Sequence, residues 1–575
     1  MTVTQLGMPT VPPHGQGNIF ADESFTRHAA RDLHDETMRG NLNFALSKIR
    51  TKRATVVSEM PDWQHLRTAG SEIKQNVLAR LPELLEQFEE NFTARGGHVH
   101  WARDAEEANR IALDLIREQG VTEVSKIKSM ATQETGLNEY LEAHGIEAVE
   151  TDLAEEIVQL GHDKPSHIVV PAIHRNRSEI RDIFKKEIPG VRQDLSDDPA
   201  ELAEASRKRL RRKFFENKVA VSGTNFGVAE SGTLTIVESE GNGRMCLTLP
   251  ETLITFMGIE KVIPRFEDLE VFLQLLPRSS TGERMNPYTS LWTGVTPGDG
   301  PQNMHVILID NGRTAVLKDE MGRQALHCIR CSACLNVCPV YQRAGGHSYG
   351  SVYPGPIGAI LSPQLGGIEA EANNSLPYAS SLCGACYEVC PVKINIPDVL
   401  VHLRGKDIDA QHGKGEEGTK RGMPTQMDGM MAGARVAFGS GKVLGLAEKA
   451  LLPAGRVVAG KDHRIDKLPG LVGGWTKYRD IDTPPKESFR SWWKKNRGKA
   501  PAPRPASERV DVEELIRANR GKAEALHEQQ AKRYAKDQDD YTRLMASERV
   551  GIQRAQAAGE TVADYARGTE EDYEA

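Results

Sequence analysis

Two groups of cysteines dominate the chemistry available to this 575-residue chain. Seven of its eight cysteines lie between residues 328 and 390, in a Cys-x2-Cys-x2-Cys-x3-Cys-Pro motif and a Cys-x2-Cys-x3-Cys-Pro motif. The first motif matches the ferredoxin pattern, in which three thiolates hold one iron-sulfur cluster and the fourth reaches a second cluster. Thiolates are the soft, anionic ligands that such clusters require. The pattern therefore predicts a protein that carries electrons through two iron-sulfur clusters.

Crossed ligation between the two motifs determines the predicted ligand sets. Three residues after the closely spaced cysteines the chain has turned away, so the last cysteine of each motif faces the other cluster. The proline after it redirects the chain. The two sets are Cys328, Cys331, Cys334 and Cys390 for cluster I, and Cys338, Cys383 and Cys386 for cluster II. Cluster I is predicted to be [4Fe-4S], while cluster II has an incomplete set of cysteines.

The second motif lacks a first cysteine, which would stand at Ser380. Three outcomes stay open for cluster II: a [3Fe-4S] cluster, a [4Fe-4S] cluster with solvent or another non-cysteine ligand at one iron, or a side chain from elsewhere as the fourth ligand. The local candidates for that side chain are Ser380, Ser381 and His347. A cluster that only relays electrons is favoured over an open iron that binds a partner or substrate.

Zinc is the rival metal, because Cys-x2-Cys pairs also bind zinc, usually as two pairs in one tetrahedral site. Seven cysteines in a four-plus-three pattern, with each motif ending in Cys-Pro, fit zinc poorly. Clustered cysteines in a chain without a secretory signal favour metal binding over disulfides. Cys246 stands alone and is predicted to be a buried thiol on a strand.

Composition limits the other function classes. The net charge of -7 and the pI of about 6.2 give nucleic-acid binding no electrostatic support. No apolar run approaches the roughly 20 residues that cross a bilayer. The N-terminal sequence lacks the basic start and apolar core of a secretory signal. Neither a Gly-x-Gly-x-x-Gly fingerprint nor a Walker loop is present. We expect a cytoplasmic protein without a nucleotide site.

Alternating helical and extended patterns between residues 97 and 317 predict an α/β layer architecture. A helix is expected at 104–119 and a strand at 168–172. Two hairpins are expected, at 232–249 around Glu-Gly-Asn-Gly and at 305–317 around Asn-Gly. Segments on both sides of the cysteine motifs have helical patterns.

Shifts in composition divide the chain into five segments. They are a flexible N-terminus at 1–25, an α/β domain with N-terminal helices at 26–318, a ferredoxin-like domain at 319–405, a linker followed by a helical and Trp-containing region at 406–500, and a charged tail of flexible or solvated helices at 501–575. The tail is poor in large apolar residues and can bury little core. The tryptophans of the basic stretch 486–499 are expected to pack against the protein, with contact to a membrane surface as the alternative.

Polar residues near the ends of predicted strands form a candidate substrate-binding pocket in the α/β domain. They are Lys128, Ser129, Glu134, Asn138, Ser222, Asn225, Glu230, Asn242 and Arg244. A lysine, an arginine and helix N-terminal amides could together hold a small carboxylate. The alternative, in which glycines form turns and the charges pair within the fold, is equally favoured. His167 and His174 are predicted to be structural.

Longer motifs along the chain carry a family resemblance. They include Lys-Ser-Met-Ala-Thr-Gln-Glu-Thr-Gly-Leu-Asn at 128–138, Ser-Gly-Thr-Asn-Phe-Gly-Val-Ala-Glu-Ser-Gly at 222–232, and Gly-His-Ser-Tyr-Gly-Ser-Val-Tyr-Pro-Gly-Pro-Ile-Gly at 346–358. Further motifs lie at 166–174, 240–244, 276–282, 328–341, 382–393 and 487–493. From about residue 30 to about residue 500, the chain resembles the lactate utilization protein B family, the iron-sulfur subunit of a bacterial L-lactate oxidation system.

The resemblance implies a lactate-utilization domain, an α/β fold related to sugar-isomerase and CoA-transferase folds, followed by a mainly helical two-cluster ferredoxin module. It also implies a cytoplasmic complex with a cysteine-rich heterodisulfide-reductase-like subunit and a second lactate-utilization-domain subunit. The four-plus-three cysteine pattern is shared with the family, whereas the polar C-terminal extension from about residue 500 goes beyond the family's usual end.

We therefore predict the electron-transfer subunit of an NAD-independent system that oxidises L-lactate to pyruvate. Electrons would pass through the two clusters toward a partner subunit and ultimately a membrane acceptor, which would suit a peripheral position at the inner face of the membrane. The alternatives are the iron-sulfur subunit of a related 2-hydroxy-acid oxidase of the glycolate type, and a redox-sensing or scaffold module without catalysis of its own.

Overall fold

The computed structural model describes residues 17–19, 23–369, 372–412, 426–459, 464–468, 470, 473–476 and 480–497. The chain divides into two compact units, Met1–Met423 and Pro424–Ala575, and each is described by itself. Most of the predicted flexible N-terminus, part of the predicted linker and the whole charged tail at 501–575 lie outside the described residues.

The first unit contains a parallel sheet of six strands and a smaller sheet of four. The strands are β1 (Gly97–Ala102), β2 (Glu123–Lys126), β3 (Glu147–Glu150), β4 (Val219–Gly223), β5 (Phe226–Val228), β6 (Thr233–Glu238), β7 (Thr252–Gly258), β8 (Val262–Ile263), β9 (Tyr288–Trp292) and β10 (Asn303–Ile309). The large sheet has the order β1-β10-β7-β4-β2-β3, and the small sheet has the order β8-β5-β6-β9. Pairing is parallel throughout the large sheet, whereas β6 runs antiparallel to β5 and β9.

Helices cover both faces of the large sheet. Those that precede the cysteine motifs are α1 (Phe25–Asp32), α2 (Glu36–Ser58), α3 (Trp63–Ala79), α4 (Leu81–Thr93), α5 (Ala105–Glu118), α6 (Met130–Thr135), α7 (Leu137–Ala143), α8 (Leu153–Leu160), α9 (Arg177–Glu187), α10 (Pro199–Glu216), α11 (Asn242–Thr248), α12 (Asp268–Ser280) and α13 (Arg313–Lys318). The central strand β7 is buried at every residue, as expected for a parallel strand covered on both sides. Successive side chains alternate, so Leu253 packs with α4 on one face and Ile254 packs with α5 on the other. The predicted α/β architecture is confirmed.

Both predicted hairpins are wrong. In each case a strand is followed by a helix: β6 by α11, and β10 by α13. The residue immediately before each helix adopts positive φ: Gly241 at 86° before α11 and Gly312 at 90° before α13. Positive φ suits a tight hairpin turn but equally suits the sharp entry into a helix. The glycines therefore do mark a positive φ, as the sequence predicts, but they do not distinguish a hairpin turn from the start of a helix.

The predicted strand at 168–172 is also wrong, since this segment consists of bends and turns. His167 explains the difference, because its Nδ1 accepts hydrogen bonds from the backbone N–H groups of Val169 and Val170 at 3.1 and 2.9 Å. Those two N–H groups are consequently engaged by a side chain and not by a neighbouring strand.

The cysteine region folds as short helices packed on the N-terminal helices. Its helices are α14 (Ala333–Val337), α15 (Pro339–Ala344), α16 (Gly355–Leu365), α17 (Ala385–Val389) and α18 (Ile396–Gln411), with 3-10 turns at Gly322–His327, His347–Tyr349 and Asn373–Tyr378. Helix α14 packs against α2, α16 and α17. One hydrophobic core joins this region to α2, α3 and α12. The core is therefore continuous across position 318, where the sequence predicts a domain boundary.

The described part of the second unit is mainly helical. It contains α19 (Gln426–Gly439), α20 (Gly441–Val458), a two-stranded antiparallel sheet of β11 (Arg464–Ile465) and β12 (Ile481–Asp482), α21 (Gly473–Thr476) and α22 (Phe489–Asn496). Among the described residues, the chain has no helix whose length and apolar character would let it span a bilayer.

Candidate iron-sulfur centres and adjoining polar sites

The cysteines predicted to hold cluster I meet in one cavity. The cysteines that line it are Cys328, Cys331, Cys334 and Cys390. All four are buried, and most of the remaining lining is apolar, including Ile168 and Ile357. The structure thus brings Cys390, from the second motif, to the three closely spaced cysteines of the first motif. Crossed ligation requires this arrangement.

The chemistry of this donor set fits an iron-sulfur cluster. Burial raises the pKa of Cys390 to about 11, even though backbone amides lower it. Bound iron supplies the positive charge that turns such thiols into thiolates. Backbone N–H groups are already aimed at the sulfurs, from Arg330 to Cys328 Sγ at 3.4 Å and from Ile394 to Cys390 Sγ at 3.3 Å. The loop achieves this with positive φ at Arg330 and Ser332, a conformation that non-glycine residues adopt only under local constraint.

The cysteines predicted to hold cluster II gather nearer the surface. Cys338 and Cys386 are buried, whereas Cys383 is exposed. Burial, with Cys338 and Cys383 as neighbours, raises the pKa of Cys386 to about 12. Cys338 Sγ accepts a hydrogen bond from the backbone N–H of Tyr341 at 3.5 Å. These residues fit a second cluster with one exposed ligand.

The three candidates for the fourth ligand of cluster II are placed differently. Ser380 Oγ accepts a hydrogen bond from the Leu382 N–H at 3.1 Å, and Ser381 is exposed. His347 lies with its ring 4.7 Å from that of His174, and its Nε2 is 2.7 Å from Lys164 O. Within the described ranges, none of the three forms a hydrogen bond with a cluster II cysteine. A role for them as ligands stays a prediction.

Buried and half-buried cationic side chains lie around the cluster I cysteines. Arg67 donates to the backbone oxygen of Cys390 at 2.9 Å, and Arg53 donates to the neighbouring carbonyl of Val389 at 3.0 Å. Burial lowers the pKa of Lys74 to about 7 and that of Lys261 to about 8, although Glu260 acts in the opposite direction. Cations close to thiolates favour the charged form of the thiolates. The environment therefore suits a negatively charged, thiolate-ligated group.

A buried network of ion pairs links these cations to the sheet. Arg313 donates to both oxygens of Glu134 at 2.8 Å, and its Nε donates to Glu260 at 2.5 Å. Arg330, in the first cysteine loop, reaches the other oxygen of Glu260 at 3.2 Å and lies over the ring of Tyr353 at 4.8 Å. Burial alone would raise the pKa of Glu134, but Arg313 and hydrogen-bond donors keep it below its usual value. Glu134, a predicted substrate-binding residue, is thus engaged within the protein.

Three predicted substrate-binding residues meet at the carboxyl ends of β2 and β3. Asn138 donates to Glu150 Oε1 at 2.9 Å, and Asn242 donates to Thr151 Oγ1 at 3.4 Å. The half-buried amine of Lys128 has four acids around it, Glu150, Asp152, Glu155 and Glu240. Burial raises the pKa of both Glu155 and Glu240 to about 7. This pocket is therefore richer in acids than the carboxylate-binding hypothesis assumes.

The other predicted substrate-binding residues have local structural partners. Ser129 Oγ accepts a hydrogen bond from Thr132 N at the start of α6, and Ser222 Oγ lies 2.8 Å from Thr255 Oγ1. Asn225 accepts from Val237 N, and Glu230 accepts from Phe266 N. The side chain of Arg244 is exposed, and its backbone N–H donates to Glu238. A role for any of them in binding substrate stays a prediction.

Two histidines and one cysteine outside the motifs have structural partners. His167 Nε2 lies 3.0 Å from Asn336 Oδ1, and burial lowers the pKa of His167 to about 3. His174 lies between Ser166 Oγ at 2.7 Å and Asp163 Oδ2 at 2.8 Å. Cys246 is buried as predicted, although it lies on helix α11 and not on a strand, and burial raises its pKa to about 12.

Sequence reasoning did not identify Lys74, Glu260, Lys261, Arg313, Arg330 or Tyr349 as residues of the cluster surroundings. Arg330 stands inside the first cysteine motif and could have been suspected from that position. Lys74, Glu260 and Arg313 come from distant parts of the chain, and no local pattern marks them.

Comparisons with known proteins match two parts of the chain to family models and most of the chain to named relatives. A family model described as "LUD domain" matches residues 85–309, and one described as "4Fe-4S dicluster domain" matches residues 324–394. Proteins named "Lactate utilization protein B" are similar over most of the chain. The protein from Bacillus velezensis is 42% identical, and the match covers 82% of this chain and 96% of the relative. The protein from Bacillus subtilis is 40% identical, and the match covers 86% of this chain and 98% of the relative. A solved DUF162 family protein from Deinococcus radiodurans, 12% identical with a TM-score of 0.23, covers 40% of this chain and 98% of its own.

Proposed function

The chain belongs to the lactate utilization protein B family, and from this premise we propose that it is the iron-sulfur electron-transfer subunit of an NAD-independent system that oxidises L-lactate to pyruvate. A role in lactate utilization and electron transfer follows from the family and from the 4Fe-4S dicluster domain. The observation that carries the finer proposal is the pair of cysteine sites, one enclosed and the other with an exposed cysteine.

The two sites would hold different clusters. Iron-sulfur clusters supply one-electron chemistry, with potentials set by cluster type, charge, hydrogen bonds to sulfur and exposure. Four cysteines would hold a [4Fe-4S] cluster at the enclosed site. The three at the outer site would hold either a [3Fe-4S] cluster or a [4Fe-4S] cluster with one non-cysteine corner. Half-buried Arg53 and buried Arg67 and Arg330 lie near the enclosed cysteines and would stabilise the negative charge of a thiolate-ligated group.

The outer site supports electron exchange with another protein. Cys383 is the exposed cysteine of the seven, and Leu382 and Tyr387 beside it expose 38% and 42% of their surface. Exposed apolar and aromatic side chains are common in protein interfaces. The partners that we propose are a cysteine-rich heterodisulfide-reductase-like subunit and a second lactate-utilization-domain subunit.

A peripheral position at the cytoplasmic face of the membrane is part of the proposal. On α22, Phe489, Trp492 and Trp493 are 69%, 47% and 50% exposed, and the Phe489 ring stacks on both tryptophan rings. None of the three belongs to a hydrophobic core formed by the described residues. Lys494 and Lys495 follow them in the last turn. Aromatic rings beside lysines suit the interface of an anionic bilayer.

Vesicle binding tests this position. The full chain should sediment with phosphatidylglycerol vesicles, and the double variant Trp492→Ala/Trp493→Ala should sediment less. Equal sedimentation of both proteins, or equal binding to neutral phosphatidylcholine, would contradict the proposal of a membrane contact through α22.

Growth on lactate tests the physiological function. A strain that lacks the gene should fail to grow on L-lactate as sole carbon source and should recover with the wild-type gene. Cys386→Ala should not restore growth, because it removes a proposed cluster II ligand, whereas Cys246→Ala should, because Cys246 lies outside both sites. Growth of the uncomplemented deletion strain on L-lactate would count against the assignment.

A further inference from the structure

The hydroxyl of Tyr349 is buried beside Cys338, a proposed ligand of cluster II, without a well-formed hydrogen bond. The side chain is fully buried, and its ring lies 5.1 Å from that of Phe25 and 6.4 Å from that of Tyr341. The hydroxyl oxygen has no well-aligned partner among the described residues, and the thiol of Cys338 lies within side-chain hydrogen-bonding reach of it. Buried polar side-chain atoms are nearly always paired in native proteins. An unpaired hydroxyl at this position therefore indicates that a hydrogen-bond acceptor belongs next to it.

The position of Tyr349 is held by a rigid turn. A Cβ added at Gly346 would stand 1.7 Å from Ser166 O, so the turn touches the 166–174 segment directly. Ser348 Oγ lies 2.7 Å from both Asp32 Oδ2 and Ala344 O, which ties the turn to α1 and α15. The chain therefore holds the tyrosine hydroxyl at the cysteine site, and the ring has no solvent into which it could turn.

We propose that the Tyr349 hydroxyl donates a hydrogen bond to the Cys338 sulfur of cluster II and raises the reduction potential of that cluster. The proposal rests on the proposed function only in requiring that cluster II is assembled. Reduction adds negative charge to a thiolate-ligated cluster, so a donor at the sulfur stabilises the reduced form more than the oxidised form. Hydrogen bonds to the sulfurs are one of the factors that set cluster potentials.

Tyr349 acts as a donor and not as the missing fourth ligand. In a cubane cluster each ligand binds a different iron, so a fourth ligand atom would stand apart from Cys338 Sγ. The Tyr349 hydroxyl lies within hydrogen-bonding reach of that sulfur itself. The backbone N–H of Tyr341 is a second donor to the same sulfur, at 3.5 Å. Cys338 would thus receive two hydrogen bonds, one from backbone and one from a side chain.

Tyr341 provides a matched control. Its side chain is also fully buried, and it belongs to the same core, but its hydroxyl donates to Ser166 O at 2.7 Å. Tyr341→Phe therefore removes one buried phenolic hydroxyl without removing a donor to sulfur. Tyr349→Phe removes the proposed donor and keeps the ring.

Redox titration of the anaerobically reconstituted full chain, followed by electron paramagnetic resonance, tests the proposal. Tyr349→Phe should lower the midpoint potential of cluster II and leave cluster I unchanged, and Tyr341→Phe should leave both unchanged. A tenfold change in the reduction equilibrium, which is about 59 mV for one electron, is the expected scale. Unchanged midpoints in Tyr349→Phe, or the loss of a phenolate-to-iron charge-transfer band, would overturn the donor role.

A second variant tests the proposal if Tyr349→Phe assembles its clusters poorly. Ring-fluorinated tyrosine at position 349 keeps the hydroxyl and makes it a stronger donor, so the midpoint of cluster II should rise. A fall or no change would overturn the proposal. If the wild-type chain binds no second cluster at all, the two-cluster function fails, and that result is distinct from an unshifted midpoint in an assembled protein.

Discussion

Replacing Arg313 by methionine removes the central cation of the buried ion-pair network. Arg313 is 2% exposed and neutralises two carboxylates, Glu134 and Glu260, which are equally buried. After the change Glu134 keeps donors from Asn311 at 2.8 Å and Tyr353 at 2.5 Å, but it has no ion-pair partner left among the described residues. Removing one partner of a buried ion pair costs roughly 3–5 kcal/mol. We expect a loss of that size in the free energy of unfolding at neutral pH.

The loss should depend on pH. In the wild-type protein the folded-state pKa of Glu134 lies below its usual value, and that of Glu260 is about 2. These carboxylates contribute stability above the unfolded pKa of about 4.3, and lose it as pH falls through the folded pKa. Without Arg313, burial would raise the pKa of Glu134, so that carboxylate would destabilise the fold most at high pH. The deficit of the variant should therefore shrink as pH falls from about 7.5 to about 5.5.

Urea unfolding followed by far-ultraviolet circular dichroism, at equal cluster loading, measures this effect. Glu134→Gln in the Arg313→Met background should recover part of the loss, because it removes the unpaired charge. Arg80→Met, which breaks the exposed pair with Glu83, should leave stability unchanged. An Arg313→Met protein as stable as Arg80→Met, or a deficit that grows on acidification, would refute the reasoning.

Three further predictions concern the cysteine sites. Cys390→Ala should abolish the paramagnetic signal of cluster I and keep that of cluster II, because Cys390 lines the cavity of the first motif; loss of only cluster II would contradict crossed ligation. Gly346→Ala should lower cluster II occupancy, measured as iron per chain, because its Cβ would collide with Ser166 O, whereas Gly405→Ala, with open space around it, should not. Cys246 should resist iodoacetamide at pH 8 until urea unfolds the chain, because burial raises its pKa to about 12; rapid alkylation of the folded protein, seen by mass spectrometry, would refute this.

The arrangement of the cysteines was largely accessible from sequence, because ligand spacing within a short loop is a local property. Cys328, Cys331 and Cys334 are separated by two residues each, and this spacing restricts how the loop can curl. The meeting of Cys390 with this loop also followed from the motif pattern. The exposure of Cys383 could not be predicted from the motif, because it depends on how α17 and α18 pack in three dimensions.

The polar surroundings could not be predicted, because their members are brought together only by the fold. Glu260 accepts hydrogen bonds from both Arg313 and Arg330, which lie 53 and 70 residues further along the chain. The α/β class was predictable from alternating patterns, yet both hairpins were misassigned, since positive φ at Gly241 and Gly312 serves helix entry as well as a turn. Lys128, Asn138 and Asn242 do converge, but among acids that no local sequence pattern predicts there.

Reduction of the clusters by L-lactate tests the central claim most directly. The full chain, reconstituted anaerobically and mixed with the two proposed partner subunits, would be titrated with L-lactate and followed by electron paramagnetic resonance. Dithionite provides the fully reduced reference. An electron-transfer role in L-lactate oxidation predicts that L-lactate produces the signals of both clusters and that pyruvate accumulates. Clusters that dithionite reduces, but that L-lactate leaves oxidised in the complete mixture, would contradict the claim.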